Sequence, residues 1–160
     1  EKYLLKATKL KQDFPDAYFY LGVIYDQTGR FEKSINYFRK VIELDKNNST
    51  ALNYLGYSFA DRNINLTEAE ELIKKALELE PENGAYIDSL GWVYFRQGKY
   101  NDAKELLEKA ITKLEDPVIY EHLGDVEKVL GNEEKSKEYY IKALKLDPKN
   151  KKLKNKLQFK

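Results

Sequence analysis

The pair Leu-Gly recurs at Leu21-Gly22, Leu55-Gly56, Leu90-Gly91 and Leu123-Gly124, with glycine spacings of 34, 35 and 33 residues. A fixed period of that length is the mark of a helical array, in which each repeat is one supersecondary unit stacked on its neighbours. Seven residues after each glycine stands Gly29, Asn63, Gly98 or Gly131, residue types that tolerate the left-handed backbone ending a helix. Each predicts a turn between two helices. Small residues follow at Ser34, Ala69, Ala103 and Ser136, then at Val41, Ala76, Ala110 and Ala143, where helices must approach closely. The second helix of each unit is expected to end near Lys46, Pro81, Asp116 or Pro148, since proline cannot continue a helix.

This period divides the chain into full units at 15–48, 49–83, 84–116 and 117–150. Residues 1–14, with Leu4, Ala7 and Leu10, read as the second helix of a truncated unit, so the array is expected to extend upstream. The 49–83 unit carries one extra residue. Thr67 and Glu70 make a capping-box pattern that places it in the turn before the second helix. Residues 151–160 carry Leu153 and Leu157 at helical spacing among lysines, as expected of a helix capping the last apolar face.

Composition narrows the function classes. The 28 basic and 27 acidic residues leave a net charge of +1, so no general field draws the chain to nucleic acid or membrane. The run from Lys149 to Lys160 without an intervening acid reads as the solvated side of the cap. With no cysteine, disulfides, thiolate metal sites and cysteine nucleophiles are excluded. No apolar stretch approaches the roughly 20 residues needed to cross a bilayer, so this fragment is not expected to insert directly into a membrane. A chain that opens on Glu1 and contains no methionine is expected to lack its native start, which leaves an upstream signal or lipid anchor open.

The offsets resemble those of the tetratricopeptide-repeat (TPR) family: an aromatic, Leu-Gly, a tyrosine, a turn glycine, two small residues, an aromatic and a proline. In the first unit they fall on Tyr18, Leu21, Gly22, Tyr25, Gly29, Phe31, Ser34, Phe38, Val41 and Leu44; in the third on Leu90, Gly91, Tyr94, Gly98, Tyr100, Ala103 and Ala110. The resemblance implies an all-α solenoid of antiparallel helix pairs, coiled into a right-handed superhelix with a concave groove. Departures from the pattern are Lys46 in place of proline, and Glu127 and Glu133 where aromatics are usual. They predict looser packing toward the end.

The family geometry also implies groove-facing places on each first helix. Here they hold Phe19, Tyr20, Val23 and Asp26, then Asn53, Tyr54, Tyr57 and Asp61, then Asp88, Ser89, Trp92, Phe95 and Arg96. Single aromatics at helical spacing are as readily core as site. The set is more telling, because Leu21, Tyr25, Leu55, Phe59, Leu90 and Tyr94 already fill the core positions. A second aromatic stripe next to polar residues suits capture of a peptide or helix.

The family's clamp for acidic chaperone tails is not reproduced. Phe19 and Val23 occupy its first two places, and Asp88 and Glu121 put negative charge where a carboxylate would bind. His122, beside Glu121 and Asp125, is a weak metal candidate, since zinc wants more ligands in closed geometry, and reads as a partly exposed polar residue. Carboxylates such as Glu70 and Glu78 read as helix-surface charges paired with Lys74 and Lys75. No phosphate loop, nucleophile elbow or catalytic triad is present. No catalytic, metal or cofactor site is therefore expected.

A narrower likeness lies in Leu55-Gly56-Tyr57, Ala60-Asp61-Arg62, Asp88 through Tyr94, Arg96-Gln97-Gly98, Asp116-Pro117 and His122-Leu123-Gly124. These resemble the C-terminal repeats of bacterial outer-membrane TPR lipoproteins, including an adaptor that recruits a processing protease to cell-wall hydrolases. The resemblance implies an adaptor on the periplasmic side of the bacterial envelope, with the cytoplasm as the other location. A protein partner is expected and nucleic acid is not. The alternative is a structural platform that self-associates.

Overall fold

The computed structural model describes residues 1–158, and among them every regular element is an α-helix. The elements are α1 (Lys2–Leu10), α2 (Pro15–Gln27), α3 (Phe31–Leu44), α4 (Ser49–Asp61), α5 (Leu66–Leu79), α6 (Gly84–Arg96), α7 (Tyr100–Lys113), α8 (Pro117–Val129), α9 (Glu133–Leu146) and α10 (Lys151–Gln158). Helices α2/α3, α4/α5, α6/α7 and α8/α9 form the most intimate pairs, and each pair stacks on the next. No described helix is long and apolar enough to cross a membrane.

The turns inside the pairs follow from backbone sterics. Gly29, Asn63, Gly98 and Gly131 all take positive φ, between 57° and 81°, where a β-carbon is costly and glycine or asparagine is favoured. The turn between α4 and α5 runs 62–65, one residue longer than its counterparts, and Asn65 joins the left-handed region at φ 48°. Asn65 is the N-cap of α5, so Thr67 already lies inside the helix and makes no cap. The capping box expected from Thr67 and Glu70 is therefore not formed. Glu70 instead accepts from Lys74 at 2.6 Å and from Gln97 at 2.8 Å, binding one pair to the next.

The Leu-Gly pairs explain how tightly the paired helices close. A β-carbon at Gly22 would meet the ring of Phe38, and at Gly56, Gly91 and Gly124 it would meet Ile73, Leu107 and Tyr140. One large side chain of each second helix thus rests on a bare stretch of the first. Leu21, Leu55, Leu107 and Leu123 are sealed from solvent, and burying each such side chain contributes about 1.5–3 kcal/mol.

The two ends of the stack differ from each other. In α1 no residue is buried, and Leu10 is exposed rather than packed. At the other end Leu153 is sealed against Tyr140 and Ala143, with Leu157 beside them. Helix α10 thus caps the stack, while Phe159 and Lys160 of the expected 151–160 cap lie outside the described residues. The fourth pair is not loosened by Glu127. That carboxylate is fully buried, 2.7 Å from the Lys104 ammonium of α7, and accepts from Asn132 at 2.6 Å. An ion pair takes over the work of the aromatic.

Candidate functional site

Helices α2, α4 and α6, the first of their pairs, supply the expected groove residues, and α8 and α10 follow them in the stack. A cavity of about 350 Å³ opens between α4, α6 and α8, lined by Asn53, Tyr54, Tyr57, Ala85, Asp88, Ser89, Leu114, Asp116, Val118 and Ile119. That volume lies within the roughly 300–1,000 Å³ range of ligand pockets. Asn53, Tyr54, Tyr57, Asp88 and Ser89 were expected from the repeat register. Leu114, Asp116, Val118 and Ile119 were not. They come from the connection into α8 and its first turn, where Asp116 Oδ1 accepts the Val118 N–H at 2.7 Å and fixes the helix start.

The remaining candidates sit elsewhere. Phe19 is half-buried and packs edge-on against Phe38 and Tyr54, with ring centroids 5.7 and 5.2 Å away. Val23 is half-buried against the same core, while Tyr20 is exposed. Trp92 does not line the cavity. It is only 7% exposed, stacked between His122 at 4.1 Å and Phe95 at 4.8 Å. Arg96 lies over its ring at 5.6 Å. Trp92, Phe95 and Arg96 therefore pack on one another outside the cavity lining, and the expectation of an open indole anchor is corrected.

His122 is buried, not partly exposed, and its Nδ1 lies 2.8 Å from Asp88 Oδ1. Glu121 is buried too. It accepts from Lys156 at 2.8 Å and pairs with Lys152 at 2.9 Å, and Lys156 also donates to Asp125 at 2.6 Å. Burial alone would raise the Glu121 carboxyl, but the two lysines hold it below the usual carboxylate range. The two carboxylates that flank His122, Glu121 and Asp125, are thus held by α10, and Lys156 is not a solvated charge. At the other end Asp26 pairs with Arg62 at 2.9 Å and accepts from Ser58 at 2.9 Å.

These polar contacts share a spacing. Asp88–His122, Glu121–Lys156 and Asp26–Ser58 are separated by 34, 35 and 32 residues, about one repeat. Complementary polar groups at a one-repeat offset are the signal that could have revealed them.

Around the cavity the charge is negative. Burial first, and then the field of Asp88, Asp61, Glu121 and Asp116, push the Tyr57 phenol well above its ordinary range. Asn53 is nine-tenths buried, and its Oδ1 has no hydrogen-bond partner. The arrangement offers apolar walls, a free amide and carboxylates. No nucleophile and base are brought together in the cavity lining.

Comparison with known proteins agrees with this architecture. Models of the Tetratricopeptide repeat match residues 15–48, 84–115 and 118–150. A TPR repeat-containing protein of Pseudomonas aeruginosa is 45% identical over 54% of this chain, which spans 15% of that relative. The type IV pilus assembly protein PilF of the same organism is 30% identical over 89% of this chain and 58% of its own length. Among solved structures, a thermophilic TPR protein of Thermus thermophilus superposes with a TM-score of 0.83 at 20% identity, covering 96% of this chain and 84% of that one. This chain is a member of the tetratricopeptide-repeat family, an all-α solenoid of the kind that serves as a scaffold for protein interactions.

Proposed function

We propose that the chain acts as a non-catalytic adaptor that holds a peptide or helical segment of a partner protein against the face built by α4, α6 and α8. The cavity carries this reading: it gathers five residues expected from the repeat register into one apolar hollow, and apolar hollows with a few polar groups are where partner side chains anchor. The relative named for type IV pilus assembly supports a setting in a bacterial envelope complex.

The test is to block the hollow without touching the core. Val118 is exposed at the cavity rim, so Val118→Arg is expected to leave far-UV circular dichroism unchanged. It is also expected to abolish recovery of the partner when the protein is crosslinked in the envelope fraction and purified. Undiminished recovery would mean that the partner binds elsewhere.

A second reading, self-association, draws on Tyr3 and Leu10, which are 86% and 79% exposed on α1. It requires dimers or larger species in sedimentation velocity, and a monomer at micromolar concentration removes it.

A further inference from the structure

The cavity combines greasy walls with an acidic surround, and the combination narrows what can enter. Its walls are Tyr54, Tyr57, Leu114, Val118 and Ile119, and no lysine or arginine lines it. Nearby cations are already engaged: Lys113 with Glu82, and Lys152 and Lys156 with Glu121. Asp61 and Asp116 are left without an ion-pair partner among the described residues, while Asp88 shares one oxygen with His122. Four carboxylates act together on the Tyr57 hydroxyl, so their field converges on the wall. A carboxylate brought here would be repelled. A cation would be drawn in, and more strongly at low salt, because the Debye length is about 8 Å at physiological ionic strength.

We propose that this cavity takes a segment in which one bulky apolar side chain lies next to a lysine or arginine: the apolar group fills the hollow while the cation lies in the acidic surround formed by Asp116 on the cavity wall and Asp61 one helical turn beyond Tyr57. The inference rests on the groove reading above and specifies the chemistry of its occupant. Charge complementarity decides against an acidic tail, the other kind of segment a helical groove could hold.

A library of random decapeptides selected against the immobilised protein tests both levels separately. Peptides pairing Phe, Trp, Tyr or Leu with an adjacent Lys or Arg are expected to enrich, and to lose binding to Val118→Arg. The double variant Asp61→Asn, Asp116→Asn keeps the N-cap, because asparagine caps as well as aspartate. It is expected to weaken the same peptides by roughly three- to tenfold, as loss of two part-exposed ion pairs should, while retaining the apolar preference. Groove-dependent peptides that are acidic, or indifferent to charge and to the double variant, would overturn the charge assignment and leave the groove standing. If nothing enriches, or enriched peptides ignore Val118→Arg, the groove reading falls and takes this inference with it.

Discussion

At Gly124 a single hydrogen atom decides how close two helices come. A methyl group there would press on three atoms of the Tyr140 ring, and that ring cannot turn aside, because its hydroxyl donates to Asp125 Oδ1 at 2.7 Å and Lys156 lies over its face. Alanine would gain about 1 kcal/mol in helix propensity, but overpacking a rigid core costs about 1–3 kcal/mol. Gly124→Ala is therefore expected to lower stability by about 1 kcal/mol in urea unfolding, with an unchanged slope. A gain in stability would show that Tyr140 yields more easily than its hydrogen bond implies. The need for glycine at this place was legible from the Leu-Gly repeat. The chemistry of the neighbouring histidine was not: nothing local to His122 marks it as buried, because its partner Asp88 is 34 residues away.

Helix α8 is held from both sides by its carboxylates, Glu127 to Lys104 of α7 and Glu121 to Lys152 and Lys156 of α10. Burial opposes the charged form of both, yet their cations and hydrogen bonds leave both below the ordinary value of 4.5. A carboxyl depressed in the folded state stabilises above its unfolded pKa, and that contribution disappears as pH falls through the folded value. Stability is expected to be flat above about pH 5 and to decline below it, and Glu127→Gln should flatten the decline while lowering stability near neutrality. An acid limb of unchanged steepness in Glu127→Gln would remove this ion pair from the account. Helix positions, the turn residues with positive φ and the small contact residues were readable from period and residue type, whereas the start of α5 was not, since Asn65 and not Thr67 is its N-cap. The mode of packing at Glu127 was not, because a missing aromatic looks like a defect until Lys104 is brought beside it. Trp92 misled for the same reason: a helix register says which way an indole points, not that His122 of the next unit covers it. The rim residues Leu114 and Val118 escaped because they flank a connection, where the repeat pattern carries no directional information.

Across the molecule, contacts run between neighbouring helices, so stability should be a sum of unit terms and interface terms rather than a single core energy. The chain offers a built-in way to see this, since its one tryptophan, Trp92, reports on the junction of α6 with α8, whereas far-UV circular dichroism counts every helix. Leu21 and Leu123 hold equivalent repeat positions in α2 and α8, and both are fully buried. Truncation to alanine at either should cost about 2–5 kcal/mol locally. In Leu21→Ala the dichroism is expected to lose the signal of α1 to α3 at low urea while Trp92 fluorescence holds near its original midpoint. In Leu123→Ala the leucine beside His122 is cut back, so fluorescence should fall with or ahead of the dichroism. Coincident transitions in Leu21→Ala would instead mean that the interfaces bind all four pairs into one cooperative block. A block of that kind would fix the shape of the cavity between α4, α6 and α8 before any partner arrives, whereas separable units would let the last pair swing open around a docking segment.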